Sequence, residues 1–566
     1  MDKFQEEITK ILKKLTGLKD ISLEVPPNSE LGDYAFPCFA LSKEMKKSPV
    51  EIAKELVGKI KLDDMIKEVK PTGPYLNFFV NRSGQSKDLL KSIIKKGDSF
   101  GSQKSTGKKI LVEFPGPNTN KPLHLGHVRN IVIGTALTKI LELNGNKVVH
   151  VNVNNDRGIA ICKSMLAYQK WGKGDTPEKS KMKSDFFVGK YYVLFAQKVK
   201  DNTKLEDEAQ EMVRKWEAGD KEVLALWKKM NKWAFDGFKT TYKKFEIKPE
   251  KEYYESDTYK NGKDIILKGL SDGLFEKGEE GEVFVDLEDK GYGKKVLLRA
   301  DGTTVYITQD IYLAKIRYED FKFDKSIYVV ATEQNYHFKV LFEVLKLLKY
   351  PFADKLHHFA YGMVNLTTGK MKSREGTVVD ADNLIDDMTN IARDLTNKKH
   401  GALAVKDLEH RSNEIAMAAI RFYLLKHDPV KDMLFDPEKS ISFEGETGPY
   451  LQYTYARINS IIAKYGGEVG NKVDSTLLKE KEELELIKIL SNFEEMVKSV
   501  GSNYKIHVLT RYLLDLSQAF NNFYHNYPVL KAEEDLMKAR ILLISCVKQI
   551  IKNGLNMLGI KVLERM

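Results

Sequence analysis

Phe114-Pro-Gly-Pro-Asn-Thr-Asn-Lys-Pro-Leu-His-Leu-Gly-His-Val-Arg-Asn130 is the stretch that decides the fold. It lies between an apolar run, Ile110-Leu-Val-Glu-Phe114, and a helical pattern that continues to about Asn144, with Gly145 punctuating the end. A second apolar run, Val148 to Val153, follows at the spacing of a strand–helix–strand unit. A turn of this kind, at the carboxyl end of a parallel strand, is where open α/β sheets bind nucleotides. His124 and His127 are three residues apart and share one face of the first helical turn. Two imidazoles there can donate hydrogen bonds to phosphate oxygens as charge builds on them. Gly126 leaves backbone bare, so that a flat ring can approach closely. The plainer reading is two surface histidines at a helix start, and the remaining sequence decides between the two.

Composition sets the frame. The 566 residues are enough for three or four domains, and their 42% hydrophobic and 30% charged content is that of soluble globular proteins. Cys38, Cys162 and Cys546 lie far apart and form no CxxC pair, which argues against a disulfide framework and a thiolate zinc site and fits a reducing cytosol. The first ten residues carry acids and no apolar core, so neither a signal peptide nor a membrane span is expected. The net charge of +11 modestly favours a polyanionic partner.

Residues 1–107 read as a small N-terminal α/β domain. Phe4, Ile8, Ile11, Leu12 and Leu15 recur at helical spacing, and Ser48-Pro-Val-Glu51 has the form of a capping box. Pro74 to Asn81 reads as a strand whose aromatics either stack on unpaired bases or fill a core. The lysine- and glycine-rich stretch Lys95 to Lys109 is the expected linker. From 108 to 385 strand and helix signals alternate, predicting a doubly wound parallel-sheet domain. Strands are expected at 282–286, 296–299, 304–307 and 325–330. From about 162 to 250 the strand signal disappears and all four tryptophans occur, predicting a helical insertion with its own core. Residues 386–566 read as an α-helical bundle. There Leu451, Tyr455, Ile458 and Ile462 make an apolar helix face, and Tyr450, Tyr453 and Arg457 a neighbouring aromatic and cationic strip.

A second basic stretch, Tyr361-Gly-Met-Val-Asn-Leu-Thr-Thr-Gly-Lys-Met-Lys-Ser-Arg-Glu-Gly-Thr377, closes the α/β region. Two lysines and an arginine in such a loop can neutralise a leaving pyrophosphate. His124-Leu-Gly-His127 followed by Lys370-Met-Lys-Ser-Arg374 resembles the paired motifs of class I aminoacyl-tRNA synthetases. The flanks narrow the resemblance. Asn118 to Asn130, Asn155-Asp-Arg-Gly158, Tyr306 to Ile311, Ala331-Thr-Glu-Gln-Asn-Tyr-His337, Ser442 to Tyr450 and the closing Leu-Gly-Ile-Lys-Val-Leu-Glu-Arg-Met566 take the form seen in arginyl-tRNA synthetases. Gly32-Asp-Tyr-Ala35 and Gly73-Pro-Tyr-Leu-Asn77 resemble that family's extra N-terminal domain.

The resemblance implies a ligase that uses ATP to activate L-arginine and passes it to tRNA(Arg), with tRNA bound before activation. It implies catalytic roles for His124, His127, Lys121, Lys370, Lys372 and Arg374. ATP would meet Gly126, both histidines, His337, Met363 and Val364, the last two through their backbone. Arginine would meet Glu113, Asn118, Glu255, Tyr306, Asp310 and Gln334. A fork-shaped guanidinium calls for carboxylates set to accept parallel N–H bonds, and such a pocket rejects lysine. Asn77 and Phe78 would contact the tRNA elbow, and Tyr450, Tyr453 and Arg457 the anticodon loop. Mg2+ is expected with ATP, with no structural metal, no membrane partner, a monomeric state and a cytoplasmic location. One departure from the class motif matters: its second lysine is replaced by Ser373, and Lys121 occurs in the family where that lysine is missing.

Overall fold

The computed structural model describes residues 3–26, 31–63, 65–80, 82–367, 379–400, 405–470 and 473–566. Five parallel strands form the central sheet, in the order Leu356–Tyr361, Lys325–Ala331, Lys109–Glu113, Lys147–Asn154, Lys251–Tyr254. Numbered along the chain, this is the order fifth, fourth, first, second, third, with the chain reversing direction between Lys109–Glu113 and Lys325–Ala331. The crevice at the carboxyl ends of those two strands is the switch point where such sheets bind ligands. Alternation along the first strand shows why both faces are covered. Ile110 and Val112 point into one core and Leu111 into another, and none is more than 6% exposed.

The Leu125–Leu143 helix covers the first face. Val128, Ile131, Val132, Ile133, Leu137, Ile140 and Leu141 make it apolar on nearly every side, and it is buried accordingly. Each such side chain contributes on the order of 2 kcal/mol on burial. Asn144 caps the helix, and Gly145, at φ 80°, turns the chain into the second strand. The Tyr306–Phe321 and Asn335–Leu347 helices cover the other face. The stretch expected as a strand at 304–307 is therefore corrected: only Thr304 makes a bridge, to Leu298, and Tyr306 already opens a helix. Val283–Leu287 and Gly293–Leu298 do pair, antiparallel, in a separate three-stranded sheet.

Residues 159–245 fold as five helices around a core of their own, in which Trp216 is buried and Trp171, Trp227 and Trp233 pack against its edge. The N-terminal unit is a three-stranded antiparallel sheet backed by Lys3–Thr16 and Pro49–Lys59. Ser48 and Glu51 form the capping box that starts the second of these helices.

The stretch expected as a linker is packed rather than free. Leu90 and Ile93 of the Arg82–Lys96 helix are fully buried among the C-terminal helices, and Phe100 stacks on Phe493. Asn553 donates to the carbonyls of Gly97 and Phe100, and Lys552 pairs with Asp98. From Ala381 onward the regular structure among the described residues is helical apart from Met433–Phe435, a short strand that pairs in parallel with Val364–Leu366.

Candidate active site

The switch-point crevice is a cleft of about 610 Å³. Glu113, Asn118, His124, Gly126, His127, Tyr306, Asp310, Gln334, His337, Met363 and Val364 all line it. Eleven of the residues singled out from sequence, drawn from four separate stretches of chain, thus meet in one place.

His124 is the N-cap of the Leu125–Leu143 helix, and its Nδ1 accepts from the Gly126 N–H at 3.2 Å. His127 Nδ1 accepts from the His124 N–H, also at 3.2 Å. An Nδ1 that accepts leaves the ring proton on Nε2, so both neutral rings carry an N–H donor away from the helix backbone. Burial, helped by the charge of Lys121, holds His124 down to about 4. Burial, then the neighbouring ring and Lys121, holds His127 well below the usual range. Both are neutral donors at pH 7. Gly126 serves a local purpose as well: a Cβ there would lie 3.0 Å from His124 Cε1 and 3.1 Å from its Nδ1.

Lys121 is half-buried and its pKa is lowered by burial. It forms no ion pair or hydrogen bond among the described residues, and it does not line the cleft, although its charge reaches both histidines. Lys370, Lys372, Ser373 and Arg374 lie outside the described residues. Both flanks of that segment are anchored. Leu125 N–H donates to Val379 O and Ala381 N–H to Leu123 O, each at 2.8 Å, so the trailing flank pairs with the histidine segment. The leading flank runs as the Val364–Leu366 strand beside Met433–Phe435.

The backbone of Met363 differs from expectation. Its N–H donates to Asp432 Oδ1 at 2.6 Å, and its carbonyl accepts from Arg129 and from Met433 N–H. Peptide groups in a parallel strand alternate sides, so those of Val364 point away from the Met433–Phe435 strand. Val364 keeps a backbone edge for a ligand, and Met363 does not.

At the other end of the cleft, Tyr306 and Asp310 lie one helical turn apart, Tyr306 being 75% exposed. Asp310 Oδ2 is 2.6 Å from His337 Nε2, so two residues expected to serve different substrates are joined. Glu255 does not line the cleft but sits close behind it. Burial, then repulsion from Asp156 and Asp310, raises its carboxyl to about 7 against the pull of Arg157. Its position depends on Asp156, which accepts from the Ser256 N–H at 2.9 Å and hydroxyl at 2.7 Å. Glu113 is paired with the fully buried Arg317, whose guanidinium lies between the rings of Tyr253 and Tyr328. Burial pushes the Glu113 carboxyl up while Arg317 pulls it down. Arg317 lines the cleft too, and was not foreseen.

The expected RNA contacts divide. Asn77 is 3% exposed and Phe78 0%, so both are interior residues of the N-terminal sheet and the expectation is corrected. The strand turns Phe79 outward under Lys70, and Tyr75 meets the 54% exposed Phe39 edge-on. Phe39 carries no sequence signal beyond being a lone aromatic. Tyr450, Tyr453 and Arg457 do come together, half-buried: Arg457 donates to the Tyr453 hydroxyl and to Asn521, which in turn donates to the Tyr450 hydroxyl. Among the described residues no group of three or more His, Cys, Asp or Glu could hold a metal ion, and no helix is long and apolar enough to cross a membrane.

A cleft at the switch point, a histidine pair on the first turn and a helical C-terminal third agree with the class that the family match gives, a class I aminoacyl-tRNA synthetase. The family described as tRNA synthetases class I (R), catalytic domain, matches residues 89–437. The Arginyl tRNA synthetase N terminal domain matches 2–80 and the DALR anticodon binding domain 451–566. The arginine–tRNA ligase of Treponema denticola is 46% identical over 97% of this chain and 95% of its own length. That of Treponema pallidum is 42% identical over 100% and 99%. The arginyl-tRNA synthetase structure from Thermus thermophilus has a TM-score of 0.81 at 28% identity, covering 99% of each chain. The chain belongs to the arginyl-tRNA synthetase family, and charges tRNA(Arg) with arginine.

Proposed function

We propose that L-arginine lies with its guanidinium at Asp310, Glu255 and Tyr306 and its amino and carboxylate ends toward Asn118, Gln334 and Glu113. Mg–ATP lies across His124, Gly126 and His127 with its adenine at the free backbone edge of Val364. What carries this reading is the single cleft that holds an acidic end and a neutral histidine pair. An arginine carboxylate oxygen attacks the α-phosphorus, the bond to the β-phosphate oxygen breaks, and pyrophosphate leaves with its Mg2+. The 3′-terminal hydroxyl of tRNA then attacks the arginyl carbonyl and AMP leaves. The protein contributes position and charge stabilisation to the first step. The histidines serve it by donating through Nε2, because a neutral donor is already in place when charge develops. His337 serves arginine rather than ribose, by fixing one Asp310 oxygen and leaving the other for the guanidinium.

Lys121 supplies the charge missing at Ser373. Its half-buried ammonium without an anionic partner among the described residues supports this, since such a charge is costly unless a ligand neutralises it. The N-terminal sheet meets the tRNA elbow through Phe39, Tyr75 and Phe79, and the Tyr450, Tyr453 and Arg457 strip meets the anticodon loop by stacking. tRNA binds before arginine is activated, and the enzyme works as a cytoplasmic monomer, a setting that three buried free thiols favour.

Arginine-dependent pyrophosphate exchange, measured with and without tRNA, tests the scheme. Exchange should need arginine and tRNA together. Full exchange without tRNA would overturn the order of binding, and equal exchange with lysine would overturn the guanidinium pocket.

A further inference from the structure

Arg129 follows the histidine pair in sequence and lies beneath it in the Leu125–Leu143 helix, with none of its side chain exposed. Its Nη1 donates to Gly362 O at 2.6 Å and Met363 O at 2.9 Å. Its Nη2 donates to Pro429 O and Lys431 O, both at 3.0 Å. No carboxylate forms an ion pair with it among the described residues; four carbonyls hold the fork, with the Tyr361 ring 5.9 Å from its guanidinium carbon and the Asp432 charge nearby. A buried cation held this way is a poor stabilising device, because well-packed apolar residues of the same volume hold a core as well or better. It is a good spacer, because the planar fork fixes two pairs of acceptors in one geometry that lysine cannot reproduce.

The two segments it joins are packed without slack. Gly362 N–H donates to Pro429 O at 2.8 Å, and a Cβ on Gly362 would come within 2.4 Å of the Lys431 carbonyl carbon. From this crossing the chain runs directly into Val364 and on to the basic segment.

We infer that Arg129 is a positioning residue for ATP: its fork ties the helix bearing His124 and His127 to the Gly362–Val364 backbone and sets the gap in which the nucleotide lies. The inference rests on the reading that ATP spans the histidines and Val364. The trailing flank of the basic segment is tied to the same helix by backbone bonds at Leu123 and Leu125. Both flanks are thereby referred to one element, the leading one through Arg129 at the Gly362 and Met363 carbonyls and through Asn130 at the Tyr361 hydroxyl.

The experiment is pyrophosphate exchange by Arg129→Lys with tRNA present, titrating ATP and arginine separately. Displacement of the Gly362–Val364 edge should lower kcat/KM for ATP roughly ten- to a hundredfold, mostly through KM. The KM for arginine should stay within about twofold, since Asp310, Tyr306 and Glu255 are held by other elements. A general loss of folded protein would lower kcat and move neither KM. An unchanged KM for ATP, or equal rises for both substrates, would overturn the inference. Should the lysine variant not fold, Asp432→Ala removes the exposed acceptor of the Met363 N–H and should give a smaller loss of the same ATP-selective kind. No ATP-selective change there would count against it equally. His124→Ala separates the two readings: if it leaves ATP kinetics intact, the placement of ATP is wrong, not the role of Arg129 alone.

Discussion

Glu255 yields the most direct prediction. Its carboxyl is raised to about 7 by burial and by the charges of Asp156 and Asp310, Arg157 opposing. A guanidinium can pair with it only when it is ionised. Arginine affinity should therefore fall as pH drops through 7, while His124, held near 4, stays silent. With that pKa, about one molecule in eleven is ionised at pH 6 and about ten in eleven at pH 8. The apparent Kd for arginine should be about tenfold weaker at pH 6, equivalent to about 1.4 kcal/mol. Binding at pH 6 should release about 0.9 proton, and at pH 8 about 0.1. Titration calorimetry in buffers of differing ionisation enthalpy reads both quantities. Glu255→Gln should abolish the dependence and weaken binding by roughly thirtyfold or more. The sign for stability is the reverse. A carboxyl whose folded pKa is raised from 4.5 favours the fold below about pH 4.5, and that contribution is lost as pH rises through 7. Flat affinity between pH 6 and 8 with no proton release would refute the placement of Glu255 against the guanidinium.

Four further predictions concern the cleft and the N-terminal sheet. Lys121→Ala should slow pyrophosphate exchange more than Lys372→Ala does, and the opposite ranking would show that the loop lysine carries the charge. Gly126→Ala should press the new methyl on the His124 ring, lowering kcat on the order of a hundredfold while melting temperature changes little. Phe78→Ala should cost about 3–5 kcal/mol of stability in denaturant titration. Phe39→Ala should leave stability nearly unchanged and raise the KM for tRNA, and an unchanged tRNA KM would remove the exposed face from the elbow contact.

The sheet was legible because its signals are local: a run such as Val148 to Val153 has the length and branching of a strand wherever it lands. So was the cleft, since the histidine turn, Tyr306 and Asp310, and Gln334 sit at the ends of elements whose order along the chain dictates where they converge. The strand predicted at 304–307 failed because β-branched residues before a helix mimic a strand, and only the partner at Leu298 shows where pairing stops. Asn77 and Phe78 failed for a related reason. Alternation says that a strand has two faces, and Phe78 falls on the side filled by Phe4, Ile8 and Leu12 far away in sequence, while Asn77 on the opposite side lies under the backbone at Gly32. Arg317 and Arg129 read as ordinary helix cations, and their roles depend on partners more than two hundred residues distant.

The Arg82–Lys96 helix gives the N-terminal sheet an unusual mounting. Its Leu90 carbonyl accepts from the thiol of Cys546, its Lys96 pairs with Glu494, and Ser86 meets Ser475 at 3.0 Å. The helix that follows the sheet is therefore a stalk rooted in the C-terminal helices, and the chain beyond it is bonded to the catalytic domain at Leu143 and Gly145. A severed N-terminal segment ending near Val80 would take away one module and leave the bundle whole, whereas one ending near Gly107 would pull Leu90, Ile93 and Phe100 out of it.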